Sequence, residues 1–331
     1  MTPTERLVNP RSEALPAPEV VARSHPEVDA ETRRSPRPPA ARHGEQTAAL
    51  AAVLHDLSAK LDELTATRNA LAALKMRLDN ELCDAHDVQV GLLPKILPCC
   101  PEHDELEVFG MVAPARGVGG DLYDFFWIDE HRFFFMIGDV SEKGVPAALL
   151  MAVIKTLMSS HVPSSAGLCE ALAVVNDRLA ESNDALMFVT AFCGILDVRS
   201  RELEYCDGGH NVPWLLPREA PATLVVKRTG IALGIERGFR FQSSKITLRP
   251  GDGIFLYTDG VTEAMNAERG LYTEERLRGT LDRTSGNPLR DLVQEVLEDV
   301  QRFAGSAPQS DDIAMLAVRL RSEAPGEGET R

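Results

Sequence analysis

The sequence predicts an α+β domain, an α-β-β-α layered sandwich of two antiparallel sheets flanked by helices and preceded by a long coiled-coil-like helix. Three observations lead to this fold class. Leucines recur every seven residues from Leu50 to Leu78. After residue 104, apolar segments of strand length come in consecutive blocks, and the helical segments among them come in pairs. A doubly wound parallel sheet would instead require strands and helices to alternate one for one.

The composition excludes several classes of function. The 331 residues carry a formal net charge of −15, which argues against a nucleic acid partner, because neutralising phosphates requires an excess of Lys and Arg. No apolar run of about 18 residues occurs, so no membrane span is predicted. Met1–Arg11 is polar and unlike a secretory signal. The six cysteines form no CxxC pair and no zinc-like spacing with histidine, so we expect reduced thiols in a cytoplasmic protein.

The two ends of the chain are predicted to be unfolded tails. Residues 1–44 are dense in Pro, Arg, Glu, Ser and Ala and poor in large apolar side chains. Such a segment cannot bury enough surface to offset the entropy lost on ordering, so we expect disorder. Residues 321–331 are polar and are predicted to fray.

Residues 45–93 are predicted to form one long helix that serves as a coiled-coil linker or dimerisation segment. The heptad leucines have partners four positions later, which are Leu54, Leu61, Arg68, Lys75 and Leu82. Two such strings make a coiled-coil seam, and the two basic residues weaken its middle. A parallel homodimer is favoured, and a single helix lying on its own domain is the alternative. Pro94 and Pro98 end the helix.

Residues 94–320 are predicted to form the folded domain. Period-two and apolar runs predict strands, whereas apolar faces at helical spacing predict helices. The expected strands are 106–113, the segment after the glycine-rich bend at 116–121, 132–140, the hairpin 188–198 with 203–206, and 212–216, 223–228, 241–248, 252–258 and 313–320. Three helices are also expected. The first begins at Pro146, the second spans 166–181 and the third spans 288–303.

Carboxylates recur at the edges of these predicted strands. Asp121 follows a glycine pair, Asp139 ends the run from Phe133, Asp259 ends another apolar run, and Asp311 and Asp312 precede the last strand. Any one of them is more often a cap or turn residue, but together they predict one pooled acidic cluster. Aspartates without His or Cys select magnesium, manganese or calcium. Two such ions suit phosphate-ester hydrolysis, whereas a calcium-binding loop of the EF-hand type would need a DxDxDG spacing that is missing here.

Six motifs follow one another along this domain. They are Gly119-Gly120-Asp121-Leu122-Tyr123-Asp124, Gly138-Asp139-Val140-Ser141-Glu142-Lys143-Gly144, Phe188-Val189-Thr190-Ala191, Gly208-Gly209-His210-Asn211, Tyr257-Thr258-Asp259-Gly260-Val261-Thr262-Glu263-Ala264 and Ser310-Asp311-Asp312-Ile313. In order and spacing, the chain from about residue 86 to 320 resembles the SpoIIE/RsbU-type phosphatases. These are the bacterial branch of the metal-dependent (PPM, type 2C-like) serine/threonine phosphatases.

The resemblance implies a role for each acidic position. Two Mn²⁺ or Mg²⁺ ions would activate a water that hydrolyses phosphoserine or phosphothreonine, with no side-chain nucleophile. Asp139 would bridge both ions and Asp121 would be an outer ligand, and these two are the candidate catalytic residues. The remaining metal ligands would be the carbonyl of Val140, Asp259 and Asp311, with Asp312 as the less favoured alternative to Asp311. Asp124 is expected to orient water or metal from behind the ligands.

Some positions depart from the family pattern or leave their roles open. Glu142 stands where the family commonly has glycine, and Asp207 stands where a small residue is common. Glu142 places an extra negative charge near the predicted metal site. His210 is interpreted as structural rather than catalytic, and Lys143 is either a phosphate contact or a solvated lysine.

The resemblance also implies partners. The expected substrate is a phosphorylated anti-sigma-factor antagonist of the STAS type in a partner-switching pathway. Because no sensor domain fits within residues 1–44, we expect the activating input to reach the domain through the helix, from a partner protein or by dimerisation. A catalytically weak scaffold in the same kind of pathway is the alternative function.

Overall fold

The computed structural model describes residues 39–94, 104–115, 117–181, 183–225 and 230–322. Most of the two predicted tails, residues 1–38 of 1–44 and 323–331 of 321–331, lies outside these described residues. The chain divides into two compact units, one ending at Asn69 and one beginning at Ala70. The second unit contains all of the strands described here.

The first helix, α1, runs from Pro39 to Leu92 and therefore begins earlier than the predicted residue 45. Proline is favourable in the first turn of a helix, which explains the start, and Pro94 follows its end. The heptad leucines of α1 are exposed; Leu57 is 63% and Leu64 is 67% accessible. A helix with an exposed apolar string has the character expected of a coiled-coil strand, and its partner remains a prediction.

The strands and the remaining helices all come after α1 in the chain. The strands are β1 (Leu106–Ala113), β2 (Leu122–Trp127), β3 (Arg132–Val140), β4 (Val189–Asp197), β5 (Glu202–Gly208), β6 (Trp214–Leu216), β7 (Thr223–Leu224), β8 (Ser244–Thr247), β9 (Gly253–Tyr257) and β10 (Ile313–Leu320). The helices are α2 (Val145–His161), α3 (Leu168–Glu181), α4 (Asp259–Thr262), α5 (Thr273–Thr284) and α6 (Leu289–Ala304), with a 3₁₀ turn at Val162–Ser164.

The strands form two five-stranded sheets, and every pairing in them is antiparallel. The first sheet has the order β1-β10-β9-β6-β7 and the second has the order β2-β3-β4-β5-β8. Helices α2 and α3 contact the second sheet, whereas α6 contacts the first. The predicted fold class, two antiparallel sheets between helical layers, is confirmed.

Strand β10 shows how the first sheet packs between two apolar cores. In β10, Leu316 and Val318 join the core shared with the second sheet, and Met315 and Ala317 join the core under α5 and α6. Successive side chains of a strand point to opposite faces, so a strand buried on both faces must be apolar at every position. The unbroken apolar run that begins at Ile313 therefore fits a central strand between two cores.

Helix α5 was not predicted from the sequence. Its face toward the core is made by Leu277 and Leu281 together with the buried hydroxyl residues Thr280 and Thr284. Two leucines in twelve residues give a weak periodic signal. The buried Tyr272 hydroxyl adds a polar anchor by donating to Asp299 in α6, with an O···O distance of 2.6 Å.

Helix α2 and the turn after it, Val145–Ser164, form the one segment of the described chain whose length and apolar character would allow it to cross a membrane. Its buried residues Ala147, Met151, Ile154 and Met158 belong to the core between α2 and the sheet. Core helices pass the same compositional test, and α2 packs this one face against the sheet.

A buried ion pair also fixes α2 to the sheet. Lys155 Nζ lies 2.5 Å from Asp124 Oδ1, and Ser159 Oγ donates to the second carboxylate oxygen. The Asp124 side chain is only 3% exposed, and burial raises the pKa of this carboxyl although Lys155 opposes the shift. Asp124 thus lies against α2 and has a packing role there, and its expected role behind the metal ligands stays a prediction.

We predict that Lys155→Met destabilises the fold by about 3 kcal/mol, because it leaves the Asp124 carboxylate buried without its cation. The measurement is the free energy of unfolding from urea titration. Lys245→Met is the matched control, since the Lys245–Glu202 pair is about half exposed and its loss should leave the stability nearly unchanged. Equal effects of the two substitutions would contradict the role given to the buried pair.

Candidate metal centre

The acidic residues predicted as ligands lie at one end of the sandwich, where the two sheets meet. Asp121 directly precedes β2, and Asp139 is near the end of β3; these strands pair with Leu122 opposite Gly138. Asp259 follows β9, and Asp311 and Asp312 precede β10, which pairs with β9 through Tyr257 and Met315. Antiparallel pairing brings the end of one strand beside the start of its neighbour, so each sheet contributes its carboxylates to the same edge.

Asp121 and Asp139 form a close, hydrogen-bonded pair of carboxyl groups, of which Asp121 is buried and Asp139 is partly exposed. Burial, followed by the charge of Asp139, raises the pKa of Asp121 well above its ordinary value. Burial, followed by the charge of Asp259, raises the pKa of Asp139 to about 7, although a hydrogen bond with Asp121 opposes the shift. Asp311 and Asp312 add to the repulsion at Asp139. Like charges in a partly buried cluster disfavour ionisation, so this edge holds an excess of negative charge that a bound cation would stabilise.

Thr258 connects the two sheets at this cluster. Its hydroxyl donates to Asp121 Oδ2 over 2.7 Å and accepts a hydrogen bond from the backbone N–H of Ala314 over 2.8 Å. Thr258 is fully buried, so the geometry is shielded from water. The side chain of Asp121 on the second sheet is therefore oriented by β9 and β10 of the first.

The neighbours Asp311 and Asp312 have different environments. Asp312 is buried and its carboxylate accepts hydrogen bonds from the backbone N–H groups of Ala115 and Gly120, at 2.8 and 3.0 Å. The side chain of Asp311 is 37% exposed and forms an ion pair of 2.8 Å with Lys143. Because Asp312 is used to hold the loop before β2, Asp311 is the better candidate for a metal ligand.

The glycine pair of this loop permits its close contacts. A Cβ atom on Gly119 would lie 1.9 Å from Asp312 Oδ2, and one on Gly120 would lie 2.8 Å from the carbonyl oxygen of Val140. No side chain can be accommodated at such separations. The carbonyl of Val140, a predicted ligand, therefore lies directly beside the backbone that leads into Asp121.

His210 is a structural link between the sheets. Its Nε2 lies 3.2 Å from the carbonyl oxygen of Tyr257, and its Nδ1 lies 2.9 Å from Thr190 Oγ1. Burial lowers the pKa of the imidazole to about 4, so the ring is neutral near pH 7. A carbonyl only accepts, hence Nε2 carries the proton and Nδ1 accepts from the Thr190 hydroxyl. Both ring nitrogens thus have partners, as the structural interpretation of His210 requires.

The loop between β3 and α2 holds Lys143 over the cluster. Lys143 Nζ donates to the Ser310 carbonyl oxygen over 3.0 Å in addition to its ion pair with Asp311. Glu142 has a φ of 72°, in the left-handed region that favours glycine, which explains why glycine suits this position. The loop retains its path with glutamate at the cost of backbone strain.

Gln89, near the end of α1, contacts the same glycine loop. Its amide nitrogen donates to the Gly119 carbonyl over 2.7 Å, and its amide oxygen accepts from the Gly119 N–H over 3.2 Å. Gln89 is buried. The last turns of α1 are thereby bonded to the segment that positions Asp121.

The donor set fits a hard divalent cation. It consists of carboxylate and carbonyl oxygens, and the raised pKa values of Asp121 and Asp139 show that these carboxylates lack sufficient positive charge nearby. In the described part of the chain, however, no group of three or more His, Cys, Asp or Glu side chains is arranged to hold a metal. Asp311 is turned toward Lys143, so a cation bound by Asp311 would have to displace the ammonium from that oxygen.

The sequence motifs contain all the carboxylates of this cluster but did not indicate the side chains that orient them. Thr258 belongs to one of the six motifs and Gln89 belongs to the helix predicted over residues 45–93, but neither pattern indicates these contacts. Both act through partners far away in sequence, at separations of 137 and 30 residues. A glutamine and a threonine leave no periodic or compositional signal that would identify such contacts.

The comparisons with known proteins agree with this architecture. The family model described as stage II sporulation protein E (SpoIIE) matches residues 129–321, more than half of the chain. The chain belongs to the SpoIIE family. This agrees with the resemblance inferred from the six sequence motifs.

Two named relatives share about a quarter of their aligned residues with this chain. Protein IcfG of Synechocystis sp. is 28% identical over 267 residues, which cover 72% of this chain and 41% of IcfG. The phosphoserine phosphatase RsbU of Bacillus subtilis is 25% identical over 251 residues, covering 76% of this chain and 73% of RsbU. The chain thus spans less than half the length of IcfG and about three quarters of RsbU.

A solved structure shares the fold. The SiaA-PP2C domain of Pseudomonas aeruginosa superimposes with a TM-score of 0.66 at 21% identity and covers 75% of this chain and 99% of that domain. The folded domain of this SpoIIE family member therefore has the PP2C phosphatase fold.

We predict that the stability of the protein in EDTA falls as the pH rises through the Asp139 titration. The pKa of Asp139 is about 7 in the folded chain and has an ordinary value of 3.8. Between these values the folded state binds more protons than the unfolded state, so ionisation at higher pH destabilises the fold. Urea denaturation at about pH 5 and about pH 8 measures the difference.

Asp139→Asn should reduce this pH dependence. Asp129→Asn is the matched control, because Asp129 lies in the turn between β2 and β3 and hydrogen bonds from the backbone lower its pKa. If wild type and Asp139→Asn lose the same stability between the two pH values, the proposed repulsion is wrong.

Proposed function

We propose that this chain is a metal-dependent protein serine/threonine phosphatase. The observation that carries the proposal is the cluster of carboxylates at the shared edge of the two sheets, with the pKa values of Asp121 and Asp139 raised. Membership of the SpoIIE family and the named activity of RsbU, a phosphoserine phosphatase, support the same reaction.

Asp121, Asp139, Asp259, Asp311 and the carbonyl of Val140 would hold two Mn²⁺ or Mg²⁺ ions. When bound, these ions would neutralise phosphate charge and activate the water that attacks phosphorus. Asp139 is the residue we assign to both ions, because it bonds to Asp121 and also feels the charges of Asp259 and Asp311. Asp312 remains a less favoured ligand, because its carboxylate is already bonded to two backbone N–H groups.

The other residues of the site would position these groups. Thr258 orients Asp121 by its hydroxyl hydrogen bond, and Asp312 holds the loop that precedes Asp121. Lys143 carries its charge beside Asp259 and Asp311, where an ammonium released from Asp311 could contact a phosphoryl oxygen. Glu142 precedes Lys143 in the loop between β3 and α2, and its negative charge would disfavour the approach of another anion along this loop.

The substrate we propose is a phosphoserine or phosphothreonine on a STAS-type anti-sigma-factor antagonist, in a cytoplasmic partner-switching pathway. Family membership supports this class of substrate. The alternative is a catalytically weak scaffold in the same kind of pathway. The complete set of carboxylates favours the enzyme, since a scaffold has no need of a cluster whose repulsion destabilises the fold.

We also propose that the domain organisation has a regulatory purpose. Residues 45–93 would form a coiled-coil linker that dimerises the chain, and an activating partner would act on this helix. The exposed leucine string supports the dimer. The double hydrogen bond between Gln89 and Gly119 supports a route from the helix to the loop before Asp121.

Asp139→Asn is expected to lower Mn²⁺-dependent hydrolysis by about a thousandfold or more, because it removes the charge between the two proposed metal positions. The measurement is release of phosphate from p-nitrophenyl phosphate and from a phosphorylated STAS protein. Asp129→Asn should retain the wild-type rate. Absence of Mn²⁺-dependent activity in the wild type on both substrates would favour the scaffold.

Leu57→Glu combined with Leu64→Glu is expected to convert a dimer into a monomer, because both leucines lie in the predicted seam. Light scattering measures the mass in solution. Ala59→Glu combined with Ala66→Glu adds the same two charges on the opposite side of the helix and should leave the dimer intact. A monomeric wild-type chain would contradict the coiled-coil proposal and favour the single helix.

A further inference from the structure

A small cavity opens beside the candidate metal centre, between α4, the C-terminal end of α6 and the loop that leads to β10. Its volume is about 110 Å³. The residues that line it are Gly260, Ala264, Met265, Val300, Gln301, Ala304, Gly305, Ala307, Pro308, Gln309, Ser310 and Ile313.

None of these lining residues is charged, although the chain carries a net charge of −15 and the cavity adjoins an acidic site. The floor is apolar and closed, since Val300 and Ile313 are buried. Met265 is 41% exposed and flexible at the rim. This lining suits an uncharged apolar side chain better than a second phosphate, because it contains no cation.

The cavity is continuous with the metal centre along two segments of the chain. Gly260 directly follows Asp259, and Ser310 directly precedes Asp311. The Ser310 carbonyl also accepts the hydrogen bond from Lys143, whose ammonium contacts Asp311. One wall of the cavity is therefore also an edge of the acidic cluster.

The wall made by the loop before β10 is fixed in place. Gln309 Nε2 donates to the carbonyl oxygens of Ala113 and Asp311, each over 2.7 Å. The backbone of Asp312 packs so closely on α4 that a Cβ atom on Gly260 would lie 1.8 Å from the Asp312 carbonyl oxygen. A preformed cavity of this kind can select a ligand without first being ordered.

We propose that this cavity binds an apolar side chain of the substrate protein, close in sequence to its phosphorylated residue. The proposal rests on the proposed phosphatase function and adds a determinant of substrate choice. An extended peptide advances by about 3.3 Å per residue, so a side chain within about three positions of the phosphoserine would reach a cavity that begins one residue from Asp259 and Asp311. Apolar occupants exclude water from the floor, whereas an acidic or basic side chain would lose its hydration there.

The test compares a small substrate with a set of peptides. p-Nitrophenyl phosphate reports on the metal centre alone. Phosphoserine peptides with a single leucine, moved through the three positions on either side in a glycine–serine background, report on the cavity. In the wild type, leucine at one position should lower KM by about tenfold relative to glycine, with kcat nearly unchanged.

Ala307→Phe should fill the cavity and abolish the preference for leucine, and hydrolysis of p-nitrophenyl phosphate should be unchanged. Ser306→Phe is the matched control, since Ser306 is the exposed neighbour and does not line the cavity; it should retain the preference. Ala304→Phe fills the cavity from α6 and serves as the second variant if Ala307→Phe unfolds, as judged from thermal denaturation.

The outcomes distinguish the two levels of the proposal. Hydrolysis of p-nitrophenyl phosphate with no preference for leucine at any position would overturn the cavity assignment alone. A preference for leucine that survives both Ala307→Phe and Ala304→Phe would also overturn the cavity assignment alone. Absence of hydrolysis with every substrate in Mn²⁺ would overturn the phosphatase function and this inference with it.

Discussion

Mutual repulsion among carboxylates is the constraint on which this domain depends. Asp121, Asp139, Asp259, Asp311 and Asp312 are brought to one edge by strands from both sheets, where burial and then the neighbouring negative charges raise the pKa values of Asp121 and Asp139. Such a cluster would separate the two sheets if nothing opposed it. The folded domain opposes it with backbone N–H donors to Asp312, the hydroxyl of Thr258 and the ammonium of Lys143.

The groups that counter this repulsion also connect the layers. Thr258 joins β9 and β10 to Asp121 of the other sheet, and His210 joins Tyr257 of β9 to Thr190 of β4. These contacts are buried, where a satisfied hydrogen bond is stronger and a missing one is more costly. The edge that carries the carboxylates is thus also a place where buried hydrogen bonds join the two sheets.

The sequence predicted most strongly those features that depend on local pattern. The unbroken apolar run from Ile313 indicated β10, and the strand from Arg132 to Val140 has the predicted bounds. Helix α5 was missed because two threonines replace apolar residues on its buried face. Asp124 shares a motif with Asp121, but the motif does not indicate the ion pair with Lys155 that places Asp124 against α2. The distinct environments of Asp311 and Asp312 likewise depend on backbone groups about two hundred residues away.

The packing of Asp312 against the glycine loop has a consequence for how sequences of this kind can diverge. The carboxylate occupies the space where any side chain at position 119 would begin, and it bonds to Gly120 across 192 positions of the chain. A residue larger than glycine at 119 becomes acceptable only when position 312 shortens or turns away, and a shorter residue at 312 leaves two N–H groups without an acceptor. The two motifs are therefore expected to vary together among homologues, as one inherited unit divided between the beginning and the end of the domain.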